Sequence, residues 1–143
     1  MSYLDDLMTG AATEAKRDGS PAVEAHHLLL AVAAQRSPAP GLDHAAVRAA
    51  LDLEFARSLA AAGVHISGVP HASPTDATPG LGASARAALE RGLATVRDKR
   101  DIRPGHILLG VLLAEVGTVP RALALSGHDR VALLAAVRRE LDR

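Results

Sequence analysis

A chain of 143 residues and 14.8 kDa is one domain, or two small repeats that share a core. It has no cysteine, which excludes a disulfide scaffold and Cys-based zinc fingers. Lys+Arg at 16 and Asp+Glu at 16 cancel, so the basic excess of a general nucleic-acid or acidic-membrane binder is missing.

The first predicted helix runs from about Ser2 to Arg17, with Leu4, Leu7, Met8, Ala11 and Ala15 recurring on one face. Asp18-Gly19-Ser20-Pro21 stops it. A second helix covers Ala25 to Gln35, and Ser37-Pro38-Ala39-Pro40-Gly41 is a loop. Asp43 to Ala62 is helical, with Val47, Leu51, Phe55 and Leu59 at i+4 spacing. Asp52 could cap a separate helix, so one long helix and two short ones are both open. Gly63 to Gly80 holds three prolines and no helical period, and reads as a linker.

Helices resume with a stripe of Ala85, Leu89, Leu93 and Val96. Asp98-Lys99-Arg100-Asp101 is a charged turn. Pro104 fits the first position of the next helix, whose face is Ile107, Leu108, Val111 and Leu112. A short helix from Val119 to Leu125 ends at Gly127. Asp129 caps a last helix striped by Val131, Leu134, Val137 and Leu141. Thirty alanines and 21 leucines favour helix throughout, so the fold class is all-α.

No constellation in the chain carries catalysis. There is no phosphate-cradling Gly-x-x-x-x-Gly-Lys motif, because Gly80-Leu81-Gly82-Ala83-Ser84 lacks the lysine. Ser126, His128 and Asp129 share one turn, where a nucleophile and its base seldom converge. His26 and His27 are helical neighbours that should point about 100° apart and not share an ion. No metal or other cofactor is expected. His27 and His106 are expected to hydrogen-bond within their own helix starts. The Arg97 to Arg103 segment is a solvated turn whose charges largely cancel. There is no signal-peptide pattern, and the longest apolar run, Leu28 to Ala34, is short of a membrane span, so a cytoplasmic protein without membrane contact is expected.

The two halves repeat. Ala25-His26-His27-Leu28-Leu29-Leu30-Ala31-Val32 aligns with Pro104-Gly105-His106-Ile107-Leu108-Leu109-Gly110-Val111, each after an amphipathic helix and a polar turn. The division expected is repeat one over 1–62, a linker over 63–80 and repeat two over 81–143.

A His before an apolar run, occurring twice at this spacing, resembles the Clp N-terminal domain of ClpA- and ClpC-type unfoldases. Asp18-Gly19, the Ala122 to Gly127 segment and the closing helix support the likeness, which spans nearly the whole chain. The resemblance implies a double Clp-N repeat of about eight helices in two four-helix units. It further implies a non-catalytic module that binds a protein or peptide, such as a Clp unfoldase, an adaptor or a client. Two other readings are a decoy for Clp-targeting peptides or antibiotics and a helical DNA-binding regulator, although no basic recognition helix is present.

The candidate binding residues are Glu24, His26, His27, Gly105 and His106. Relatives that bind phosphorylated arginine carry a Glu directly before each repeat His and a Thr at the start of each first helix. Here His26 and Gly105 stand before the histidines, Gly82 takes the second Thr position, and the first falls at or before Met1. Phosphoarginine is therefore expected to bind weakly or not at all.

Overall fold

The computed structural model describes residues 2–64 and 74–143. Helix α1 spans Tyr3–Arg17 and begins with a capping box: Ser2 Oγ accepts the Asp5 N–H at 3.2 Å, and Asp5 accepts the Ser2 N–H at 3.3 Å. It closes at Asp18, where Gly19 adopts φ +68° and the Ser20 N–H returns to the Ala15 carbonyl at 2.9 Å. Strand β1 is Ala22–Val23, and α2 is Ala25–Arg36. Helix α3 spans His44–Ala61 without a break, its N-terminus capped by Asp43. Asp52 thus lies inside one long helix, in a stretch that contains neither Gly nor Pro.

In the second half, β2 is Gly80–Leu81 and α4 is Ala83–Leu93. A 3-10 turn at Lys99–Asp101 leads to α5, Pro104–Leu112, with the proline at its start. Helices α6, Thr118–Leu125, and α7, Arg130–Leu141, follow, and the Asp129 carboxylate caps α7 by accepting two N–H groups.

Among the described residues this makes seven α-helices, three in the first half and four in the second. By order and repeat spacing α1 matches α4, α2 matches α5, and α3 matches α7. Helix α6 has no counterpart in the first half, where residues 37–43 form the loop expected from Ser37-Pro38-Ala39-Pro40-Gly41, with Gly41 left-handed (φ +79°), and α3 is not split at Asp52 into a further helix. The all-α expectation gains one small exception. Strands β1 and β2 pair in parallel, Ala22 with Gly80 and Val23 with Leu81, and tie the entrances of α2 and α4 together.

Helices α2 and α5 pack on each other at the centre. Leu28, Leu29, Leu30 and Val32 from one, and Ile107, Leu108, Val111 and Leu112 from the other, are buried in a single core. Glycine lets α4 and α5 approach closely, since a Cβ on Gly110 would stand 2.1 Å from the Ala88 carbonyl oxygen. Two expected stripes turn out differently. On α3 the buried face is Val47, Ala50, Leu51 and Glu54, while Phe55 is 46% exposed. Four residues advance a helix by about 400°, so strict i+4 spacing drifts about 40° per step and carries Phe55 off the face. On α7, Leu133, Leu134 and Val137 are buried but Val131 stands in solvent.

Residues 65–73 of the expected linker lie outside the described residues. Beyond them the chain is fastened to the first half: the Thr75 N–H donates to the Lys16 carbonyl at 2.9 Å, and the Gly80 N–H to that of Pro21 at 3.1 Å. The halves also meet through α2 with α4 and α5, and through α3 with α6. A protease site placed between Gly68 and Ser73 should therefore give two fragments that co-elute in gel filtration with native helicity. Separate elution of two folded halves would show independent domains.

Candidate functional site

The two repeat histidines perform the same local task. Each occupies the third position of its helix and turns its ring back to the backbone. His27 Nδ1 accepts the Glu24 N–H at 2.9 Å, and His106 Nδ1 accepts the Arg103 N–H at 2.9 Å. Each ring thus satisfies a backbone donor at the entrance of its helix, as expected from the sequence. Because Nδ1 must be the acceptor, the proton of neutral His27 sits on Nε2, which donates to Asp18 at 3.2 Å. In the second half Arg103 instead reaches the Leu141 carbonyl and ties α5 to the end of α7.

His26, Asp18 and His27 come together, contrary to the 100° argument. Their ligand-type atoms lie within 4.8 Å of one another, and the two imidazoles lie with centroids 4.1 Å apart and their planes tilted by 44°. Even so, the chemistry is that of a hydrogen-bond chain. His27 uses both ring nitrogens, and the Arg48 guanidinium already donates to Asp18 at 3.2 Å. A cation there would displace the Nε2 proton and face Arg48.

His26 is half-buried and makes no hydrogen bond among the described residues. Burial, and then the neighbouring His27, push its pKa down from 6.5 to about 4; Arg48 adds to the effect and Asp18 opposes it. The ring is therefore neutral near pH 7. Its folded pKa lies below the unfolded one, so the stability linked to its neutrality is complete above pH 6.5 and is lost as pH falls toward 4. His26→Gln should remove about 2–3 kcal/mol of this acid sensitivity. The check is urea unfolding at several pH values, and parallel curves for the two proteins would refute it.

Glu24 lies at the junction of the halves. Its Oε1 is buried and has no hydrogen-bond partner among the described residues. The carboxylate occupies the space of the side chain that Gly82 lacks, since a Cβ there would stand 1.6 Å from Oε1. Beside it the Ala25 N–H donates to Ser84 Oγ at 2.8 Å, which links the starts of α2 and α4. Next to these groups opens a cleft of about 610 Å³, walled by Glu24, His26, Ser84, Arg91 and the α5–α6 loop 113–117. Val116 of that loop is 85% exposed.

The five candidate residues thus separate. Glu24 and His26 line this cleft, and His27 and His106 hold helix starts. Gly105 packs under Leu141, where a Cβ would come within 2.8 Å, and borders another cleft of about 350 Å³ beside Arg36, Arg103 and Glu140. The loop 113–117 and Val116 were not singled out from the sequence, because one valine in a turn has no periodic pattern around it.

A paired-repeat helical module that joins its halves at helix entrances, with clefts along the joint, is the class that this fold defines. More particularly, it is the Clp N-terminal domain fold. The chain superposes on the crystal structure of the N-terminal domain of the caseinolytic protease associated chaperone ClpD from Arabidopsis thaliana with a TM-score of 0.70 and 21% identity, covering 97% of this chain and 92% of that one. No protein-family model matches the sequence, and no curated protein matches it. No helix among the described residues is long and apolar enough to cross a membrane.

Proposed function

We propose that this chain is a non-catalytic protein-binding module related to Clp-dependent proteolysis, which receives segments of clients or adaptors in the 610 Å³ cleft at the joint of its halves. The observation that carries the reading is the end-to-end likeness to a Clp N-terminal domain, together with an open cleft edged by an exposed Val116. Domains of this fold recruit proteins for an ATP-driven ring, and this sequence has no phosphate loop of its own. Glu24, His26, Arg91 and Glu115 give the cleft polar groups, and Leu113, Ala114 and Val116 give it apolar surface.

Fluorescence anisotropy with labelled casein tests the proposal. The wild-type chain should bind it, and Val116→Asp should weaken binding roughly tenfold at an unchanged thermal midpoint, because the side chain touches mainly solvent. Casein binding that ignores Val116→Asp would move the site elsewhere. Absence of casein binding, with DNA recovered instead from a native lysate, would favour a nucleic-acid regulator. Phosphoarginine should bind weakly or not at all in calorimetry. His26 brings no negative charge and Gly105 no side chain, so the fixed carboxylates that grip a guanidinium are missing at those two positions.

A further inference from the structure

We propose that a third, smaller cleft, where α1, α2 and α3 meet, docks one basic side chain of a partner polypeptide between Asp52 and Phe55. The inference rests on the protein-binding reading above and adds the chemistry of the partner. The cleft measures about 260 Å³ and is lined by Asp18, His26, Arg48, Asp52, Glu54 and Phe55 among others. It falls below the usual size of a metabolite pocket, about 300–1,000 Å³, and suits a single side chain.

Its charge is one-sided. Three carboxylates face one guanidinium, and that guanidinium is engaged: Arg48 donates to Glu14 at 3.0 Å and to Asp18 at 3.2 Å. Glu54 accepts from Arg121 at 3.1 Å and from Ser58 at 2.9 Å. Asp52 accepts nothing among the described residues. No cation in the lining is left to receive an acidic partner, while Asp52 is free to receive a basic one.

The second element is the ring. Phe55 is the only phenylalanine of the chain and is 46% exposed. Three residues apart on α3, Asp52 and Phe55 are neighbours on the helix surface. A carboxylate beside an open ring face holds an ammonium or guanidinium by charge-assisted hydrogen bonding and by the cation–π attraction. A bare divalent cation suits the cleft poorly, because His27 and Arg48 already occupy Asp18.

The test is an amide-detected NMR titration of the full chain with acetyl-Arg-Leu-Leu-amide and, in parallel, acetyl-Glu-Leu-Leu-amide. The Arg peptide should shift resonances at residues 52–55, at His26 and at Thr118, and should weaken with added salt. Asp52→Asn should bind it about tenfold more weakly, a change of about 1.4 kcal/mol. Asp52→Glu should retain binding, and Phe55→Leu should lose part of it. Equal binding of the Glu peptide, absence of Arg-peptide binding, shifts confined to other surfaces, or unchanged affinity in Asp52→Asn would each overturn the inference. Labelled casein separates the two claims. If wild type binds casein but not the Arg peptide, only this inference fails; if it binds neither, both fail.

Discussion

Replacing Leu108 with Ala is expected to destabilise the fold by about 2–5 kcal/mol, and replacing Leu29 with Ala by a similar amount. Leu108 is 0% exposed and Leu29 2% exposed. They hold equivalent places in the two repeats, on the helices that pack against each other at the centre. Each truncation removes methyl groups from the joint between the halves, where both helices are covered by neighbours and collapse into the space is hindered. In a chain of this size each kcal/mol lowers the thermal midpoint by roughly 2–4 °C. Calorimetry is the check. A midpoint shift of less than a degree in either variant would mean that its helix is not central to the core.

These two positions were legible because a doubled apolar run marks the centre of a doubled fold. Most helix ends were legible too: Asp43 and Asp129 as caps, Gly19 as a stop and Pro104 as a start are local signals that nothing distant overrides. Three features were not. The i+4 stripe on α3 suggested a buried Phe55, yet a spacing of four residues exceeds one turn and winds off the face. Whether residues 43–62 form one helix or two was open, because an Asp such as Asp52 can cap a new helix or sit within a continuing one, and the unbroken α3 decides it. Glu24 was visible as a carboxylate near the repeat motif, but not its placement against Gly82, because that follows from the parallel pairing of β1 with β2 across 58 residues of sequence. At the candidate site, therefore, the histidines were readable as helix locks, whereas the cleft walls come from segments that only the tertiary fold brings together.

Arg48→Met is expected to cost about 2–4 kcal/mol, less than the ~3–5 kcal/mol for a fully buried pair, because Glu14 is buried but Arg48 and Asp18 keep part of their exposure. No local pattern announces this group, because its members are scattered over α1, α2 and α3. One signal was present: Glu14 lies on the same helical face as Leu7, Ala11 and Ala15, and a carboxylate on an apolar stripe needs a partner. That partner is Arg48, which donates to Glu14 at 3.0 Å and to Asp18 at 3.2 Å, while His44 Nε2 and Glu14 Oε1 lie 2.9 Å apart. Burial works against the charged Asp18 carboxyl, but the hydrogen bond from His27 and the charge of Arg48 outweigh it and hold its pKa below the usual 3.8. The stability linked to Asp18 is therefore present above pH 3.8 and is lost as pH falls through its folded pKa. Without Arg48 part of that depression disappears, so the gap between variant and wild type should be widest near neutral pH and shrink in acid. Glu14→Gln in the Arg48→Met background should recover part of the loss by removing the stranded charge, so the double variant should be more stable than Arg48→Met alone. Denaturant unfolding of wild type, both single variants and the double variant gives the coupling directly. Strict additivity of the two losses, with no dependence of the Arg48→Met gap on pH, would mean that Arg48 contributes only the packing of its aliphatic stem.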